Sequence, residues 1–190
     1  MKAVVVFSGG LDSTVLLWKA KKEFDEVVAL TIDYGQRHYR EIFSANRLAK
    51  KAGVRHLVLN LKPLADVMRG SSQTDLSVPV PHGHYEEETM KATVVPNRNM
   101  ILLSVATACA ISERAAAVLY GAHAGDHAIY PDCRSEFVDA MREAISLCDW
   151  NPPTLLAPFS EMTKANIVTL GVSLGAPLGE SWSCYEGGDI

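Results

Sequence analysis

The sequence predicts a doubly wound α/β fold, a Rossmann-like parallel sheet with helices on both faces. Three observations carry this. Short apolar, β-branched runs recur along the chain, as in strands buried on both sides. Stretches of helical spacing separate them, the order expected of βαβ units. The glycine-containing polar segments follow the strands, where open parallel sheets place their ligands.

The elements follow in order. The run over 2–7 is a strand ended by Ser8-Gly9-Gly10, and Val15, Leu16, Leu17 and Trp18 open a helix reaching about Lys22. A second strand covers 27–32 and ends at Asp33-Tyr34-Gly35. Ile42, Ala45, Leu48, Ala49 and Ala52 mark a helix over 40–52, stopped by Gly53. A third strand covers 56–61. The stretch 69–96 has little pattern and carries Pro79, Pro81, Pro96 and the acidic trio Glu86-Glu87-Glu88. Such a long loop is more often functional than passive. A strongly apolar, buried helix is expected over 99–114, a fourth strand over 117–120, an amphipathic helix over 134–148, a fifth strand over 154–159 and a helix over 164–171. The tail from Gly175 has no regular pattern. There are no internal repeats.

The 190 residues suit one domain with at most a small appendage, and 48% hydrophobic content is ample for a core. A net charge of −4 argues against nucleic acid as the main substrate. Met1-Lys2-Ala3 runs directly into the first strand, so no secretory signal is read. No apolar run approaches bilayer length, and a cytoplasmic protein without membrane association is expected. The four cysteines, Cys109, Cys133, Cys148 and Cys184, lack C-x-x-C spacing and read as reduced thiols, with Cys109 in the core. His38, His82, His84, His123 and His127 are too scattered for a histidine metal site and are expected at the surface or in loops.

The chemistry begins at Ser8-Gly9-Gly10-Leu11-Asp12-Ser13-Thr14, directly after Phe7. Adjacent glycines allow a sharp turn that brings backbone N–H groups toward one point. The helix start adds unpaired donors and the positive dipole end, and the hydroxyls of Ser8, Ser13 and Thr14 add more. Together they form an anion site sized for polyphosphate. Asp12 or Ser13 also suits a plain helix cap. The G-x-x-x-x-G-K-[ST] loop is absent, as is the G-x-G-x-x-G fingerprint.

This loop resembles the S-G-G-x-D-S loop of the ATP pyrophosphatase superfamily at every specified position: Ser8, Gly9, Gly10, Asp12 and Ser13. That resemblance implies cleavage of ATP between its α and β phosphates, a loop that cradles pyrophosphate, and an Asp12 that helps hold Mg²⁺. Further strings narrow the match: Asp33-Tyr34-Gly35-Gln36-Arg37-His38, Val95-Pro96-Asn97-Arg98-Asn99, Tyr130-Pro131-Asp132-Cys133-Arg134 and Ser181-Trp182-Ser183-Cys184-Tyr185. Singly, each has an ordinary turn, cap or surface explanation. In this order they resemble the 7-cyano-7-deazaguanine synthase family of the queuosine pathway.

The family likeness implies an ATP-dependent ligase that turns a carboxy-deazaguanine and ammonia into a nitrile through adenylated acid and amide. AMP and pyrophosphate are released. It implies ATP contacts from residues Phe7 to Thr14 and Asp33, Tyr34, Gly35 and Gln36, with Asp12, Ser13, Arg98 and Lys164 in catalysis. Asn97, Arg98, Asp126, Tyr130, Asp132 and Arg134 are the substrate-binding candidates. A homodimer is expected on the same ground.

The family also implies a four-cysteine zinc site, of which only Cys184 falls within these residues. Zinc normally takes four protein ligands, so residues 176–190 read as the incomplete start of a zinc-binding segment after a nucleotide-binding domain over 1–175. Two rivals are another enzyme of the superfamily acting on tRNA and a non-catalytic nucleotide sensor of the same fold. Acidic charge and missing C-x-x-C spacing weigh against the first, and the additional motifs against the second.

Overall fold

The computed structural model describes residues 1–37, 40–75, 77–79 and 88–182. Five parallel strands form one sheet: β1 (Lys2–Val6), β2 (Glu26–Asp33), β3 (Arg55–Asn60), β4 (Ala117–Leu119) and β5 (Thr154–Leu156), in the order β3-β2-β1-β4-β5. The chain winds outward from β1 to β3, then returns to the other side of β1 for β4 and β5. The direction of winding therefore reverses between β1 and β4, and their carboxyl ends open a crevice there.

The helices are α1 (Leu11–Glu23), α2 (Arg40–Ala52), α3 (Arg98–Ser112), α4 (Ser135–Ser146) and α5 (Lys164–Ser173). Strand alternation sorts the core onto two faces. Ala3 and Val5 of β1, Val27 and Ala29 of β2, and Ala117 and Leu119 of β4 join Val15, Leu16, Leu48 and Ile167 from α1, α2 and α5. Val4, Val28, Leu30, Ile32, Val118 and Leu155 point the other way, to Leu103, Ala106, Val138, Met141 and Ile145 of α3 and α4. Both faces of β1, β2 and β4 are covered, which is why these strands read as unbroken apolar runs, whereas the edge strand β3 is largely exposed.

The fold agrees with the sequence reading, and its departures are local. β1, β4 and β5 end one to three residues early because the chain turns into site loops, though Phe159 beyond β5 remains fully buried. Within the described part of 69–96 the regular element is a 3-10 helix over Glu88–Thr93. α3 is not buried all round: Leu103, Ala106 and Ala110 are, but Met100 is 44% exposed. Met90–Ser112 is also long and apolar enough, by length and composition, to cross a bilayer, contrary to the expectation that no such run exists. Its α-helical part starts only at Arg98, and its buried stripe packs on the sheet.

Candidate active site at the switch point

A cleft of about 800 Å³ opens at the crevice between β1 and β4, within the range of small-molecule sites. Its lining includes Phe7, Ser8, Gly10, Leu11, Asp12 and Ser13 after β1, and Tyr34 and Gln36 after β2. Arg98 comes from the start of α3, Asp126 and Tyr130 from the loop after β4, and Lys164 from the start of α5. The structure thus gathers these sequence-predicted residues onto one wall system.

The phosphate loop is tightly self-braced. Gly9 has φ +84°, and a Cβ there would lie 2.6 Å from the Ala45 nitrogen and 2.8 Å from the Glu41 carbonyl oxygen. Only glycine lets the loop lie this close to α2. The Gly9 N–H donates to Ser13 Oγ (3.2 Å) and the Gly10 N–H to Ser8 Oγ (3.2 Å). Ser13 and Thr14 donate through their hydroxyls to the Gly10 carbonyl at 3.0 and 2.8 Å. Thr14 is fully buried and does not line the cleft, nor does Gly9; both shape the loop from behind. The helix cap is Gly10, without a side-chain cap bond, so neither Asp12 nor Ser13 caps α1.

Asp12 instead faces Lys164, whose Nζ donates to both carboxylate oxygens at 2.8 and 2.6 Å. Lys164 is held there because Thr163 and Asn166 form a reciprocal capping box that fixes the first turn of α5. The starts of α1 and α5 therefore converge on one spot. Their dipole ends and the ammonium favour a polyphosphate there.

His123 stands in the loop after β4, one of the two settings expected for it. It is 5% exposed and lines the cleft rather than lying at the surface. Its Nδ1 accepts from the Gly125 N–H (3.0 Å), so the neutral ring carries its proton on Nε2. That nitrogen lies 3.5 Å from Asp126 and 3.8 Å from Asp12. The signal that could have found it is its position four residues past β4, at the switch point.

Other predicted residues lie off the cleft wall. Asp33 is buried in a turn, its Oδ1 accepting from the Gly35 N–H (3.2 Å) and its Oδ2 3.3 Å from Lys62. Gly35 has φ +86°, and a Cβ would lie 2.9 Å from that of Ala65. Both set the bend that presents Tyr34 and Gln36. Asn97 holds the cap position of α3 at φ 56° without a side-chain bond. The cap contact comes from Asp132, whose Oδ2 accepts from the Asn99 N–H (3.0 Å). Its carbonyl accepts from Asn99 Nδ2 (3.1 Å) and the Tyr120 hydroxyl (2.9 Å). Asp132 therefore braces the α3 start that carries Arg98, rather than facing the cleft. Arg134 is exposed, with Nε donating to the His127 carbonyl (2.9 Å).

The cleft lining also contains residues that were not among the predicted site residues: Glu41, Gln73, Leu102, Cys133 and Trp182. Burial pushes the Glu41 carboxyl up to about 7, with Arg98 opposing. Burial also raises the Tyr34 and Tyr120 phenols, and raises the Cys133 thiol to about 12. Arg98 sits 5.8 Å above the Tyr130 ring, whose hydroxyl shares a 2.7 Å hydrogen bond with Thr93. The Trp182 ring packs on Arg40 (5.4 Å), and the Trp182 backbone N–H donates to the Gly9 carbonyl (3.0 Å), strapping the chain's last described residue to the phosphate loop.

Cys184, His38, His82 and His84 lie outside the described residues. Among those described, no three histidine, cysteine or acidic side chains gather into a group able to hold a metal. Cys109 is half-buried on α3, Cys133 buried beside the cleft and Cys148 exposed after α4, far from a shared zinc geometry.

Comparison with known proteins identifies the family. The family model described as queuosine biosynthesis protein QueC matches residues 2–190. A 7-cyano-7-deazaguanine synthase of Hahella chejuensis is 48% identical over 186 residues, covering 98% of this chain and 80% of the relative. One from Methanoregula boonei is 49% identical over 187 residues, covering 98% and 86%. At the level of fold, NMN synthetase from Francisella tularensis superposes with TM-score 0.58 at 17% identity, covering 94% of this chain and 63% of that one. The U34-tRNA thiolase NcsA from Methanococcus maripaludis gives 0.57 at 18%, covering 97% and 61%. A parallel sheet with a pyrophosphate-type loop at its switch point, and relatives nearly half identical over almost the whole chain, place this chain in the QueC family of ATP-dependent 7-cyano-7-deazaguanine synthases.

Proposed function

We propose that the cleft runs two successive adenylations on one carboxy-deazaguanine, with ammonia as the nitrogen source. The observation that carries this is one cleft of about 800 Å³ lined by the phosphate loop together with Arg98, Tyr34 and Glu41. A carboxylate is a poor electrophile; transfer of AMP to it creates a good leaving group. Ammonia then gives the amide, whose oxygen is adenylated in turn, and loss of AMP leaves the nitrile. The site's contribution is to hold reactants in line and to stabilise departing pyrophosphate.

In this scheme Ser8, Gly10, Ser13 and Lys164 bind the β and γ phosphates, and Arg98 orients the acid. Asp12 and Asp126 approach one His123 nitrogen, and magnesium commonly takes one or two carboxylates plus substrate phosphates. They fit Mg²⁺, which when bound would neutralise charge on the pyrophosphate. The described residues do not fit zinc, so no step involves it; Cys184 and residues 176–190 stand as the start of a zinc-binding segment, and 1–175 as the nucleotide-binding domain, only by family likeness.

The same reading makes the protein a cytoplasmic homodimer acting on a small molecule. Three free thiols suit a reducing compartment. An apolar groove of about 460 Å³ between β3 and α3, flanked by exposed Val58 and Leu59, suits a subunit contact. The test is mass spectrometry after incubation with ATP, ammonium and the carboxy-deazaguanine. Nitrile, AMP and pyrophosphate are expected; ADP as the only nucleotide product sinks the scheme.

A further inference from the structure

Making a nitrile from ammonia strips three protons from one nitrogen: one as the amide forms and two as the amide is dehydrated. A group in the cleft must accept them, and most of its ionisable side chains are already committed. Both oxygens of Asp12 are engaged by Lys164. Asp126 faces the protonated Nε2 of His123, whose other nitrogen is occupied by Gly125. Tyr34, Tyr120 and Cys133 are held protonated by burial.

Glu41 differs. It stands in the first turn of α2 and lines the cleft on the wall shared with Tyr34 and Arg98. Among the described residues its carboxylate makes no hydrogen bond or close ion pair; the charged and titratable groups acting on it are Arg98 of α3 and Tyr34 beyond β2. A half-buried carboxylate in a cleft, without a partner and near a fixed cation, is the environment in which general bases are tuned.

We propose that Glu41 is the general base that removes protons from nitrogen in the amide- and nitrile-forming steps, a role that rests on the two-adenylation scheme above. In the first step ammonia adds to the acyl carbon and the C–N bond forms. One N–H proton passes to Glu41, and the C–O bond to AMP breaks with its electron pair leaving on AMP. In the second round the amide oxygen displaces pyrophosphate from the α-phosphorus. The two remaining N–H protons pass in turn to Glu41, nitrogen supplies the pair for the third C–N bond, and AMP again leaves with the C–O pair. Glu41 returns each proton to water through the open cleft. Its carboxyl, raised to about 7 by burial, is matched to exchange protons near neutrality.

Glu41→Gln keeps the shape and removes the base. Two measurements on the whole chain separate the steps. Exchange of labelled pyrophosphate into ATP, with the acid present and ammonium omitted, reads adenylation alone. Amide and nitrile formation with ammonium, followed from acid to alkaline pH, reads the proton transfers. The variant is expected to hold exchange within about threefold while product formation falls about 100-fold or more. The rising limb of the pH profile near 7 should vanish with it, and Glu41→Asp should recover part of both. Nitrile formation by Glu41→Gln at near-parent rate overturns the assignment. So does equal loss of exchange and product in both variants, the mark of a merely structural role. A parent protein without exchange refutes the adenylation scheme itself, and the base with it.

Discussion

At the phosphate-loop end of the cleft, the principal side chains are already paired: Ser8 with Ser13, Asp12 with Lys164, His123 with Gly125. Elsewhere on the cleft lining, among the described residues, Glu41 beside Arg98 and Tyr34 has no close partner, and Gln73, 6% exposed, has its Nε2 without a hydrogen-bond partner. Polar groups left unpaired in a buried place cost stability. The first region is thus organised in advance for a charge pattern that ATP always brings. The second carries unmet polar capacity beside Arg98 and Tyr34, as expected of a wall completed by its reactant. Rigidity is concentrated where charge is stabilised, and tolerance of strain where protons must move.

The largest effect should come from the organised end. Asp12→Ala should lower pyrophosphate release about 10²- to 10⁴-fold while far-UV circular dichroism stays unchanged. Asp12 is partly exposed at a helix start, and its loss leaves only Lys164, itself half-exposed, unpaired. Release near the parent rate would remove Asp12 from the catalytic set and weaken the contrast between the two regions.

Gly9→Ala tests the rigidity of the same end from the backbone. Its positive φ and the 2.6 Å approach to Ala45 force the loop away from α2. The expected cost is about 1 to 3 kcal/mol in urea unfolding, accompanied by a raised KM for ATP. A variant with parent stability would show that the loop has room to relax.

A smaller, pH-dependent effect is expected from Glu41. Burial raises Glu41 to about 7, so the folded chain holds its proton more tightly than the unfolded chain. Its contribution is fully present below the ordinary glutamate range and is lost as pH rises toward 7. Glu41→Gln should therefore match the parent near pH 4 and exceed it near pH 8, by on the order of 1 kcal/mol or more. Equal melting temperatures at both values would show that Glu41 is not strained in the fold. The same substitution would then lower turnover and raise stability, the pattern of a residue kept for function.

Some of this site was legible along the chain. The bounds of α2, the strand into Ser8-Gly9-Gly10 and the turn at Asp33-Tyr34-Gly35 follow from neighbours a few residues apart, and so can be read locally. The facing of Asp132 and His123 is not legible there, because turn chemistry alone does not say which way a side chain points. Asp132 turned inward to cap α3, and His123 turned into the cleft on the bond from Gly125.

The sequence by itself determined the alternation of strands and helices, the glycine loop after β1 and the motifs that identify the family, because each is written in residues close together. Only the tertiary structure decided that Lys164 grips Asp12 across 152 positions, that Trp182 straps the loop, and that Glu41 shares a wall with Arg98. Those meetings depend on the parallel strands, which put the starts of α1, α2, α3 and α5 at the carboxyl end of the sheet, and on the reversal of winding at β1, which opens the crevice there. Burial of a charge, and hence its readiness to take a proton, is a property of that assembled surface and not of any stretch of chain.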